Sequence, residues 1–588
     1  MFNRKKQIIL LIASIVTTIM VAQEREQDTL NPDVINVIKP YTPSISDAFK
    51  VKESPTIDDD QTQTKKEIEY NIFSFPVAST FTPAKGKAAV VDKAKKVKLY
   101  DNYASLGFGS YTTILGEVYL NHELGRGENI TAYVGHHSSS GNIDGNFVDD
   151  DFLDSKIDLS YTKRERDLTW MLNGGFQLQK YNWYGFPTFL VGTEIPLETV
   201  NGFDVGHNFT NAYIGGDIEF NDGIFKGANV LFRRFGDNQG SGENRFKIKG
   251  FVDVPVNNET LNTEIKLDYL SGSFERNYFN TNELNYSNFQ VAISPTYQLK
   301  QDDLTVDLGA TVTFLNDGEA GENKFYIYPN VSATYRVLDE TVIAFGSIKG
   351  ELLQNSYYDY ATLNPFVSPT LFIVPTDQQY NATVGIKGKL SNALNYAVSA
   401  SYKSEKDKAL FQNNLMPYGF ASEEAYQYGN SFGVVYDDVS TFGFVGELNV
   451  DINRNFTLGV KGEYFSYNTK AQEEAWNLPE LKASIFMDYQ ITNQWFAGAN
   501  VFYTGERKAL IGFNDVMNPD FPTFINATQT VVLGDYLDLN AHVGYHLNDR
   551  WSVFLKGNNL VEGTYNKWLN TRVQSFQALA GATYKFDF

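Results

Sequence analysis

From about Tyr100 to the C-terminus, apolar and polar positions alternate with a period of two. In "YLDLNAHVGYHL" (Tyr536 to Leu547) one face carries Leu537, Leu539, Ala541, Val543, Tyr545 and Leu547. The other carries Asp538, Asn540, His542, Gly544 and His546. In "TFGFVGELNVDIN" (Thr441 to Asn453), Phe442, Phe444, Leu448, Val450 and Ile452 oppose Glu447, Asn449, Asp451 and Asn453. "ALNYAVSASYK" (Ala393 to Lys403) repeats the pattern. Successive side chains of a strand point to opposite faces, so this period predicts strands with one face turned away from water.

A soluble sandwich alternates in the same way. Three features predict lipid on the apolar face instead. The opposite face carries charges of both signs, including Lys403, Glu447, Asp451, Asp538 and Lys556, as a wet lumen does. Aromatics fall at strand ends, as with Trp495 and Tyr503. The connections alternate between short and long. Tight turns are expected at Gly125 to Asn129, Lys163 to Asp167, Asn221 to Gly227, Val256 to Thr260, Leu338 to Glu340 and Leu547 to Trp551. Long loops are expected at Trp183 to Gly206, Gln354 to Gln378, Glu405 to Ser431 and Glu506 to Thr530.

The expected fold is therefore all-β. It is a transmembrane antiparallel β-barrel over residues 99–588, of about 22 strands, beginning with Asn102 to Tyr111 and ending with Ser575 to Phe588. An even strand number puts both barrel ends on one side, read here as periplasmic. Tyr584, Phe586 and Phe588 share a face of the last strand and resemble the terminal signal by which the barrel assembly machinery recognises outer-membrane barrels.

The N-terminal region differs. Arg4, Lys5 and Lys6 precede an apolar stretch from Ile8 to Val21, with a cleavage point after Ala22, so residues 1–22 read as a signal peptide. Residues 23–98 form a short, mostly irregular periplasmic segment, polar and broken by proline. The lysine-rich "KGKAAVVDKAKKVK" (Lys85 to Lys98) is a solvated linker or a basic collar against lipid headgroups.

The chain has 588 residues, 44 Phe, 36 Tyr and no Cys, which removes disulfides, thiol nucleophiles and Cys-bound metals. A net charge of −21 argues against nucleic acid as a partner. The sequence shows no catalytic set, so an enzyme is not expected, and no cofactor or metal site is assigned. His542 and His546 share a face, but four residues of strand separate them by about 13 Å, against metal–ligand distances of roughly 2 Å. "NIDGNFVDDD" (Asn142 to Asp151) lacks the calcium-loop spacing.

Two stretches carry a family resemblance. "LNAHVGYHLNDRWSVFLKGNNLVEGTYNKW" (Leu539 to Trp568) resembles the closing strands of TonB-dependent receptors, whose N-L…Y motif falls on Asn559, Leu560 and Tyr565. Leu363 to Tyr402 resembles the family's N-P…P-E segment, with Asn364, Pro365 and Pro375 matching and Thr376 where Glu is usual. The composition resembles Bacteroidota members. The resemblance implies a 22-stranded outer-membrane barrel, energised by TonB, that imports a solute. It also implies a plug of well over a hundred residues. The segment 23–98 is shorter and shows no plug motif, so it is read as a tail with a candidate reduced plug.

"DVINVI" is strand-sized, β-branched and flanked by Pro32 and Pro40. In the family a short TonB box adds as a strand to the TonB C-terminal domain, and Asp33, Val34, Ile35, Asn36, Val37 and Ile38 suit that role. Alternatively, their apolar side chains dock inside the lumen. Two functions stay open: an energised transporter of an unknown solute, or a passive channel or scaffold barrel partnering an envelope protein.

Overall fold

The structure is a computed structural model. It describes residues 98–588 apart from 189, 190, 193, 194, 196, 258, 417–423, 454, 517–523 and 562. The expected signal peptide, the segment Asp33 to Ile38 and the rest of residues 1–97 lie outside the described residues.

Twenty-two antiparallel strands form one closed sheet. Each strand pairs with the next barrel strand in sequence, and the first (Asn102–Gly109) pairs with the last (Gln577–Phe586) in a register from Asn102↔Phe586 to Gly109↔Leu579. Closure satisfies every strand on both edges, which a wall in an apolar surround requires. At the seam the strands approach closely: a Cβ on Gly109 would stand 2.5 Å from the Ala578 carbonyl oxygen.

Period-two patterning sorts the side chains as the sequence predicts. Phe442, Phe444, Leu448, Leu537, Val553 and Leu555 stand exposed on the outer face. Glu117, Arg245, Asp268, Ser552 and Lys556 are buried on the inner one. No helix of the described residues is long and apolar enough to cross a membrane.

The connections are strongly unequal. At the end where the first barrel strand begins and the last one ends, all ten turns span two to four residues, from the turn between Gly125 and Glu128 to that between His546 and Trp551. Asn257, Asp302 and Asp339 take positive φ there, the conformation short Asx side chains tolerate best. The opposite end carries the long loops.

Three of those loops differ from expectation. The Glu405 to Ser431 segment is strand as far as Asn413, because Leu394–Asn413 and Phe432–Asn453 pair well beyond the usual wall height. The Glu506 to Thr530 segment holds a hairpin, Arg507–Val516 with Phe524–Leu533. The Gln354 to Gln378 segment holds a helix, Tyr357–Leu363, capped by Ser356, whose side chain accepts from the Asp359 amide. Apolar residues on these insertions seek each other, since local strand pairing leaves them unburied.

The result is a hydrophobic core at the loop end. Trp183, Phe209, Phe235, Phe274, Tyr278, Tyr357, Phe366, Tyr426, Phe432, Ile511 and Leu569 pack into one cluster drawn from six loops and the strand ends beneath them.

Candidate functional site

The loop-end core rests on a buried polar frame. The helix Tyr357–Leu363 points its first turn at Glu243, at the start of strand Gly242–Val256. The Glu243 carboxylate accepts from the Tyr357 amide at 2.6 Å and from the Tyr286 hydroxyl at 2.8 Å. A carboxylate at a helix N-terminus meets amides that lack intrahelical partners. The Tyr357 hydroxyl donates to Asp237 at 2.6 Å, and Asp237 also holds His207 at 3.2 Å. His207 stacks on Trp183 at 4.2 Å between ring centres.

Arg245 forms the second half of the frame. Its Nε and Nη2 make a bidentate pair with Asp268 at 3.0 and 2.9 Å. Nη1 reaches Asp359 on the helix at 3.0 Å, and Nη2 also donates to the Gln354 carbonyl. Desolvation raises the Tyr357 phenol well above its usual pKa, and the nearby Asp237 carboxylate raises it further, so the phenol donates as a neutral group.

Below this frame the inner wall is polar and of mixed sign. A cleft of about 450 Å³ is lined by Lys249, Lys266 and Lys349 together with Glu264 and Glu351. Lys249 pairs with Glu264 at 3.5 Å. Higher on the wall, Asp154 takes Gln177 and Gln179, Asp158 takes the Tyr213 hydroxyl, and Arg233 lies 3.8 Å over the Tyr358 ring. Of the expected lumen residues, Glu447 accepts from Asn449, Lys403 lies 3.7 Å from Glu405, and Lys556 stands 5.0 Å from the Phe554 ring centre.

The residues singled out in the sequence fall in separate places. Tyr584, Phe586 and Phe588 do line up on the closing strand's end, with ring centres 5.6 and 5.5 Å apart, and Trp551 joins them at 4.7 Å from Tyr584. Asn559 and Leu560 stand at the loop end, where strand Trp551–Asn558 gives way to a loop. Asn559 has φ 49°, and its Nδ2 donates to the carbonyls of Gly563 and Gln574 at 2.8 and 3.0 Å. The Leu560 amide donates to Leu539 at 2.8 Å. Tyr565 lies flat on Tyr536, 3.9 Å between ring centres and 4° between planes. The N-L…Y residues thus form a strand exit rather than part of the Glu243 frame.

Sequence reasoning missed the frame. One local signal was present: Ser356 with Asp359 three residues on is a helix-start pairing. Among the described residues, no group of three or more His, Asp or Glu stands close enough together to hold a metal.

No family model and no curated protein matches the sequence. Solved structures do match the barrel. The siderophore receptor PirA of Acinetobacter baumannii superposes with a TM-score of 0.60 at 12% identity, over 84% of this chain and 81% of that one. The outer-membrane ferripyoverdine receptor of Pseudomonas aeruginosa gives 0.58 at 14%, over 83% and 72%. The ferric-catecholate import receptor Fiu of E. coli gives 0.56 at 11%, over 83% and 82%. The barrel has the fold of the TonB-dependent siderophore receptors. All three neighbours are receptors rather than enzymes. With this fold, the chain places its long loops at the end opposite the start of its first barrel strand and its polar face inward.

Proposed function

We propose that this protein is an outer-membrane receptor that imports a solute through its barrel, drawing energy from TonB through the segment Asp33 to Ile38. One observation carries the reading. A closed 22-strand wall with an outward apolar face ends in a folded loop assembly at one end only, over a polar interior. That architecture suits capture on one side and passage inward. The short turns and both termini then face the periplasm, where the N-terminal segment meets TonB by strand addition.

The test is binding of a synthetic peptide, Asp28 to Pro43, to the purified C-terminal domain of the organism's own TonB. An Ile35→Pro peptide is the control, since proline removes a ladder donor. Binding by the first and not the second is expected. Absence of binding at high peptide concentration would refute coupling and favour the second reading, a passive or scaffolding barrel. That reading draws on the shortness of the segment 23–98.

A further inference from the structure

Two hairpins inserted into the last long loops meet over the inner wall near Tyr536. Arg507 opens the hairpin Arg507–Val516 with Phe524–Leu533, and it is 4% exposed. Its guanidinium donates to the backbone carbonyls of Asn566 and Lys567 on the small hairpin Asn566–Trp568 with Thr571–Arg572. The guanidinium carbon lies 5.1 Å from the centre of the Tyr536 ring, which stacks on Tyr565.

Tying two hairpins together accounts for the Arg507 Nη groups. It does not account for Nε, which is buried with no acceptor among the described residues. Lys567 adds a second cation beside the first, and burial, then the Arg507 charge, push its ammonium down to about 8. Among the described residues Asp538 is the carboxylate that faces Lys567, and none pairs with Arg507. Two cations against one carboxylate leave a net positive site in a chain of net charge −21. A buried charge with an orphaned donor is costly unless an acceptor meets it.

We propose that the space bounded by Arg507, Lys567, Tyr536 and Tyr565 holds an oxyanion, a carboxylate or phosphate group, of a solute entering from the loop end. The guanidinium supplies direction through its unpaired Nε, and the ammonium supplies a second positive charge. The stacked tyrosines wall the site and keep the guanidinium from rotating away. This deepens the import reading by naming the solute's chemistry. It concerns binding alone, so a barrel that binds anions without engaging TonB would refute the coupling and leave the site standing.

The experiment is calorimetric titration of the full-length protein in detergent with inorganic phosphate and, separately, citrate. The variants are Lys567→Met and Lys508→Met. Lys508 sits on the same hairpin but pairs with Glu474, so its loss controls for general charge. Saturable binding of at least one anion is expected, weakened tenfold or more by Lys567→Met and kept by Lys508→Met. Lys567→Gln replaces Lys567→Met if the latter lowers the melting temperature. No saturable binding of either anion to the folded wild type would overturn the proposal, as would equal affinity in the Lys567 variant. Preference between phosphate and citrate identifies which oxyanion the site takes.

Discussion

The backbone amide of Tyr357 donates to the Glu243 carboxylate at 2.6 Å, across 114 residues of sequence. Glu243 is 1% exposed, and the same carboxylate also takes the Tyr286 hydroxyl. Replacing Glu243 with Ala strands two buried donors, at roughly 1–3 kcal/mol each. The helix Tyr357–Leu363 then keeps Arg245, Asp237 and the Tyr360–Tyr436 bond but loses the carboxylate at its N-terminus. Limited proteolysis read by mass spectrometry should show faster cutting within residues 354–375 in Glu243→Ala, with turns at the opposite end unchanged. Glu243→Gln keeps one acceptor and should fall between the two.

Asn559 combines a left-handed backbone with two side-chain hydrogen bonds. Gly at this position keeps the backbone at ease and loses the bonds. Ala loses the bonds and adds about 1–2 kcal/mol of left-handed strain. Melting temperatures should therefore run wild type, then Asn559→Gly, then Asn559→Ala. Equal stability of the two variants would show that the φ imposes no strain.

Leu448 and Asn449 are neighbours on opposite faces of strand Phe432–Asn453, Leu448 outward and Asn449 hydrogen-bonded inward to Glu447. Leu448→Arg puts a charge toward lipid and should cost about 2–4 kcal/mol. Asn449→Arg, facing the wet interior, should cost little. Urea unfolding from lipid vesicles measures both. A reversed order would turn the barrel inside out and refute the outer-membrane placement.

The aromatic row of Tyr584, Phe586 and Phe588 joins Trp551 at the turn end of the wall. Phe586→Ser with Phe588→Ser should lower the amount of folded barrel in the outer membrane several-fold. The same substitutions should leave the melting temperature of what does assemble within a few degrees. Normal abundance, measured by quantitative blotting of membrane fractions, would remove the insertion role.

The wall was legible in the sequence because its signal is local. Leu537, Leu539 and Val543 against Asp538, Asn540 and His542 need only the strand period to be sorted. Six of the ten short turns were legible for the same reason: each joins strands adjacent in sequence. The loop-end frame was not. Glu243 with Tyr357, Asp237 with Tyr357 and Trp183 with Val367 are partners more than a hundred residues apart with no shared period. The hairpin at Arg507–Val516 was read as loop because its length was attributed to the connection, not to strands outside the ring. Arg507 and Lys567 became a site only when folding set them side by side.

The seam has a kinetic side. Every other pairing in the ring joins strands neighbouring along the barrel, while Ser105 meets Thr583 across 478 residues. Each hairpin needs only local contacts, but this contact waits for the final ten-residue strand Gln577–Phe586. A chain ending before that strand lacks more than one stave in twenty-two: it has no ring at all, and two open edges remain to pair with whatever chain comes next. The strand that carries the terminal aromatics is thus also the one that decides when the molecule stops being adhesive.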